Sequence, residues 1–136
     1  WPAQAINYTN KTQFLFRIQK GILDINDTGV NDYIKPENQR VPFRNMIYIG
    51  DSDTDIPCMS LVNANGGHSI GVYDPFKKDK EKVYKMMRHH RIRYYAPADY
   101  SNGSKLDTLV KQIIRKTAAY EVLEGEYIHC KYEAEE

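Results

Sequence analysis

Asp51-Ser52-Asp53-Thr54-Asp55 places three carboxylates within five residues, directly after the apolar run Met46-Ile47-Tyr48-Ile49-Gly50. Negative groups this close repel one another unless a cation neutralises them. A hard, oxygen-rich loop suits Mg²⁺, which takes one or two carboxylates and keeps several waters. The same residues read without a metal are a solvated turn whose aspartates cap the next helix. A calcium EF-hand is excluded. Its sixth position, which needs glycine, is Ile56, its twelfth, which needs glutamate, is Val62, and the preceding segment reads as a strand. Glycine ahead of the first aspartate is expected to allow a sharp turn out of that strand.

The flanking segments are expected to be an α/β arrangement that presents this loop. Residues 5–8 read as a short strand, and Thr9 or Asn10 caps a helix with Phe14, Leu15, Ile18 and Ile22 on one apolar face. Residues 24–44 are loop-like. Residues 46–49 form a strand buried on both faces, followed by a helix from about Asp55 to Val62 that Asn65-Gly66-Gly67 ends. Ser69–Tyr73 reads as the next strand, Asp74-Pro75 opens a lysine-rich helix to about His90, and Arg93–Pro97 is a shorter strand. Ser101 or Asn102 starts a final helix carrying Leu106, Leu109, Val110, Ile113 and Ile114, and the acidic tail from Tyr120 fits either a short helix or a strand. Such alternation implies a parallel sheet with helices on both faces, and ligands bind beyond the carboxyl ends of its strands. Gly50-Asp51 lies at such an end.

Phe43 to Pro57, with its apolar strand, Gly50-Asp51 and then Asp55, resembles the fourth signature motif of haloacid dehalogenase superfamily phosphohydrolases. Asn7-Tyr8-Thr9-Asn10-Lys11-Thr12 is similar to the third motif, a lysine at the start of a helix, and Gly66-Gly67-His68-Ser69-Ile70-Gly71-Val72-Tyr73 to the glycine-rich entry of the following strand. The likeness covers about residues 1–118, read as the C-terminal half of the core domain, and leaves 119–136 as an acidic extension. It implies part of a Rossmann-like parallel sheet flanked by helices. It also implies phosphate-ester hydrolysis through an aspartyl-phosphate in the full protein. Carried over, Lys11 is the catalytic lysine that stabilises the phosphoryl charge. Asp51 is the direct ligand of Mg²⁺, and Asp55 supports the metal through water or orients Lys11. Asp53 lies between the motif positions, and Ser52 stands where the family usually has glycine.

The family's nucleophile motif has no counterpart before Lys11, so the sheet is expected to lack the nucleophile strand and this chain alone to be inactive. Leu23-Asp24-Ile25-Asn26-Asp27-Thr28 spaces its aspartates three apart instead of two, and Asp51-Ser52-Asp53 as nucleophile would leave the upstream lysine unexplained. The opening Trp1-Pro2, with no initiating methionine, suggests a chain that begins inside a longer protein. The implied partners are a phosphorylated small-molecule substrate in the parent protein and either the missing N-terminal half or a second copy. The competing classes are a receiver-like module, in which the lysine would follow the acids, and a non-catalytic interaction domain, which the eleven tyrosines weakly favour.

Bulk properties narrow the classes. A net charge of +1 provides no field for nucleic acid or an anionic membrane, and no apolar run approaches membrane-spanning length. Cys58 and Cys130 form no metal-binding pair, which sets a reducing, cytoplasmic location as the expectation while leaving one long-range disulfide open. His68, His89, His90 and His129 are read as structural.

Overall fold

A computed structural model describes residues 11–21, 39–77 and 80–135. The strand expected at 5–8, most of the third-motif segment and the Asp24–Asp27 decoy lie outside these residues. Three parallel strands, β1 (Ile47–Gly50), β2 (His68–Tyr73) and β3 (Tyr94–Pro97), form a sheet in the order β1-β2-β3. Ile47 pairs with His68 and Gly50 with Gly71, while Ile70 pairs with Tyr94 and Tyr73 with Pro97. Central β2 is buried over its first five residues, as a strand covered on both faces must be. Helices α1 (Lys11–Lys20), α2 (Ile56–Ala64) and α3 (Glu81–Arg88) flank the sheet, and α4 spans Lys105–Glu135. The protein is therefore of the α/β class, with a parallel sheet flanked by helices.

Two apolar clusters hold these layers. Leu15 of α1, Phe43, Met46 and the α2 residues Cys58 and Val62 form one; Met59 of α2, Val83 and Met86 of α3, and Ile92 form the other. Cys58, Met59 and Val62 are fully buried and occupy successive positions of α2 at helical spacing, so this one short helix serves both clusters. Tyr48 of β1 packs against both.

Several boundaries differ from the sequence reading. The helix after Tyr73 starts at Glu81, not at Asp74. The Asp74 side chain accepts the Phe76 N–H (2.9 Å) and its carbonyl accepts the Lys77 N–H (3.2 Å), which makes a turn where a helix was expected. The last helix starts at Lys105, because Ser104 caps it. Ser104 Oγ accepts the Asp107 N–H at 3.1 Å, and Gly103, at φ 82°, supplies the left-handed residue just before. The acidic tail is neither a strand nor a separate short helix; α4 continues through it to Glu135. In α1, Leu15 is buried as expected, but Ile18 is 41% exposed while Arg17 and Gln19 are buried, so among the described residues the buried face is not the expected apolar one. Long polar side chains can cover apolar surface with their stems.

The chain groups into two compact units, Trp1–Ala98 and Asp99–Glu136. Residues 118 and 119, where the sequence places the start of an acidic extension, lie within α4. Among the described residues no helix is long and apolar enough to cross a membrane. Both cysteines are free thiols, Cys58 buried and Cys130 exposed, so they are not joined as a disulfide.

Candidate functional site at the carboxyl ends of the strands

The acidic loop leaves β1 as a single 3₁₀ turn, Asp53–Asp55, which runs into α2. Ser52 and Asp55 form a reciprocal capping box across that turn. Pro57 falls in the first turn of α2, where its missing N–H costs nothing. The loop is thus built by local rules, and its centre is the carboxylate of Asp55.

Five donors converge on that carboxylate. Oδ1 accepts Lys11 Nζ at 2.9 Å and the Tyr48 hydroxyl at 2.8 Å. Oδ2 accepts the backbone N–H of Asp51 (3.2 Å), that of Ser52 (3.3 Å) and the Ser52 hydroxyl (3.2 Å). Lys11 also donates to Thr54 Oγ1 at 3.1 Å, and the hydroxyls of Ser52 and Thr54 share a bond of 2.8 Å. Lys11 and Asp55 are separated by 44 positions in sequence, so the fold, not chain proximity, brings them together. Their side chains are 21% and 12% exposed, which makes this a partly desolvated ion pair.

The electrostatics follow from this geometry. Burial pushes the Asp55 pKa up, but the hydrogen bonds from Lys11, Tyr48 and the Ser52 backbone, with the charge of Lys11, outweigh it. The result is a fall from 3.8 to about 2. Burial, reinforced by the bond to Asp55, holds the Tyr48 hydroxyl well above its ordinary range, so it is a donor at any physiological pH. Burial likewise pushes the Cys58 thiol up, leaving it unreactive.

Gly50 matters for a reason other than the turn expected from sequence. It does not have positive φ. A Cβ at Gly50 would lie 2.6 Å from Asp55 Cβ and 2.8 Å from its Oδ2, so only glycine lets Asp55 pack against the strand end.

The sequence-derived residues divide as follows. Lys11 and Asp55 are in direct contact. Asp51 is exposed at the end of β1, and its carboxylate makes no hydrogen bond or ion pair among the described residues. Ser52 is committed to the capping box. Asp53 is 83% exposed and pairs with Lys82 at 3.3 Å, apart from the Lys11–Asp55 pair. Among the described residues no three His, Cys, Asp or Glu side chains stand close enough to hold a metal. With both Asp55 oxygens taken by donors, the open carboxylate of the loop is that of Asp51, which could contribute one ligand to a Mg²⁺ ion otherwise held by water and substrate oxygens.

A pocket of about 390 Å³ opens beside Asp51, lined by Val72, Tyr73, Asp74, Pro75, Phe76 and Ala98. Asp51, Asp74 and Ala98 each immediately follow a strand, so the pocket sits beyond the carboxyl ends of the sheet, where α/β sheets bind ligands. Sequence reasoning did not find Tyr48, Thr54 or this pocket wall. The signal for Tyr48 was available. It is a hydroxyl in an otherwise apolar strand, two residues before Gly50 and therefore on the same strand face, the one against which Asp55 packs.

No protein-family model and no solved structure matches the chain. A Borreliella burgdorferi protein whose description is "Uncharacterized protein" is 26% identical to it over 101 residues, covering 74% of this chain and 34% of that protein. The chain therefore spans about a third of the length of the curated relative it matches.

Proposed function

We propose that this chain supplies part of the active site of a Mg²⁺-dependent phosphohydrolase of the haloacid dehalogenase type, namely the acidic loop and the phosphate-stabilising lysine. The observation that carries the reading is the Lys11–Asp55 contact at 2.9 Å, across 44 positions, at the carboxyl edge of a parallel sheet and next to an available aspartate. In this reading Asp55 orients Lys11; of its two expected roles, supporting the metal or orienting the lysine, the geometry favours the second. Lys11, its amine held by Asp55 Oδ1 and Thr54 Oγ1, supplies the positive charge that would offset the negative charge of a phosphoryl group. Asp51 is the residue of this chain that would hold Mg²⁺, which neutralises a transferring phosphoryl group when bound. The attacking carboxylate has to come from outside this sequence. Among the described residues β1 is paired only with β2, which leaves its other edge open to a further strand.

The test is Mg²⁺ binding, read by calorimetry or by Mn²⁺ substitution and paramagnetic relaxation. Asp51→Ala is expected to weaken binding at least tenfold while Asp53→Ala changes it little. Equal affinity of Asp51→Ala and the parent chain would refute the assignment. The tyrosine-rich surface of α4 favours a second reading, an interaction module, and it stands independently of the catalytic one.

A further inference from the structure

We propose that the C-terminal half of α4 carries a dimerisation seam whose occupant is the same seam of a second copy of this chain. The proposal rests on the helix alone and holds whether or not the phosphohydrolase reading does.

Tyr120, Leu123, Tyr127, Cys130 and Ala134 follow one another at alternating spacings of three and four along α4. That is a 3.5-residue period, which keeps one narrow stripe facing a partner helix only if the two helices wind around each other. All five are exposed: Tyr120 by 45%, Leu123 by 70%, Tyr127 by 63%, and Cys130 and Ala134 likewise open. Lys116, the preceding position of the same stripe, is charged and marks where the apolar seam begins. Scattered single apolar residues on a surface need no explanation, but a stripe in strict heptad register over four turns does.

The occupant follows from period, length and charge. A partner must present a matching heptad stripe over a matching length. The other described helices contain ten, nine and eight residues, too short to fill it. A second α4 matches by construction, and a two-fold axis makes the patch self-complementary. The residues flanking the stripe fit the same partner. Lys131 lies beside it, as do Glu124 and Glu126. In a parallel pair Lys131 of one copy comes opposite Glu126 of the other. In an antiparallel pair it comes opposite Glu124. Each contact occurs twice by symmetry. The seam is little more than two heptads long, so the association is expected to be weak, with Kd on the order of 10⁻⁵–10⁻⁴ M.

Sedimentation equilibrium of the 136-residue chain tests this. The expected result is a monomer–dimer equilibrium whose Kd rises at least tenfold in Leu123→Glu and in Tyr127→Glu, and several-fold in Lys131→Glu. Circular dichroism at 222 nm should stay unchanged, since all three positions are exposed. Asp53→Lys, on the other compact unit, should leave Kd as it is. A chain that stays monomeric to about 1 mM overturns the proposal, as does a dimer that Leu123→Glu and Tyr127→Glu leave intact, which would place the interface elsewhere, at the β1 edge for example.

Discussion

Asp55 titrates between its unfolded value of 3.8 and its native value of about 2, and that interval fixes a measurable part of the stability. A carboxyl whose pKa is lowered by folding stabilises the native state fully above the unfolded value. It loses that contribution as pH falls through the native one. The interval from 3.8 to about 2, at about 1.4 kcal/mol per pH unit, corresponds to about 2 kcal/mol. With a side chain only 12% exposed, solvent screening removes little of it. Urea unfolding of the parent chain and of Asp55→Asn, followed by circular dichroism between pH 2 and pH 7, gives the two stability curves. Above pH 4 the parent should exceed the variant by a constant margin, and that margin should shrink by about 2 kcal/mol between pH 4 and pH 2. Asp99 and Asp107 are also lowered, by hydrogen bonds from Ser101 and from the Gly103 N–H respectively, but they titrate in both proteins and cancel in the difference. Stability curves that run parallel to within about 0.5 kcal/mol from pH 7 to pH 2 would refute the ion pair as drawn.

Two further substitutions probe the same centre. Tyr48→Phe removes the 2.8 Å bond to Asp55 and should cost about 1.5–3 kcal/mol, as expected for a hydrogen bond to a charged group; it should also raise the Asp55 pKa, visible by carboxyl ¹³C chemical shift. Gly50→Ala forces a methyl to within 2.6 Å of Asp55 Cβ, and should cost about 1–3 kcal/mol in urea unfolding while displacing the amide resonances of Asp51 to Asp55.

Much of the fold was legible because parallel strands announce themselves as short apolar runs, although only central β2 is buried as expected and Ile47 to Ile49 of β1 are half-buried. Ile47–Gly50 and His68–Tyr73 fall within a residue of where hydrophobicity alone put them. The failures cluster where a single polar side chain competes with the helical pattern. Asp74 bends its own backbone into a turn and delays α3, and Ser104, not Ser101, captures the first free N–H groups of α4. For the site, the acidic loop and Lys11 could be picked out by type and order. The division of labour among the aspartates could not, because it depends on which carboxylate the fold surrounds with donors. Three acids that look equivalent in sequence become a buried hub at Asp55, a surface ion pair at Asp53 and an open carboxylate at Asp51.

The capping box and the five donors around Asp55 have an effect on any ligand that arrives. A loop that already holds its shape has lost its conformational freedom before the encounter, so little ordering entropy opposes capture. On the proposed reading, a cation arriving at Asp51 would therefore bind without rearranging the backbone. Its arrival should register as a local change at one residue, not as a folding event of the whole loop.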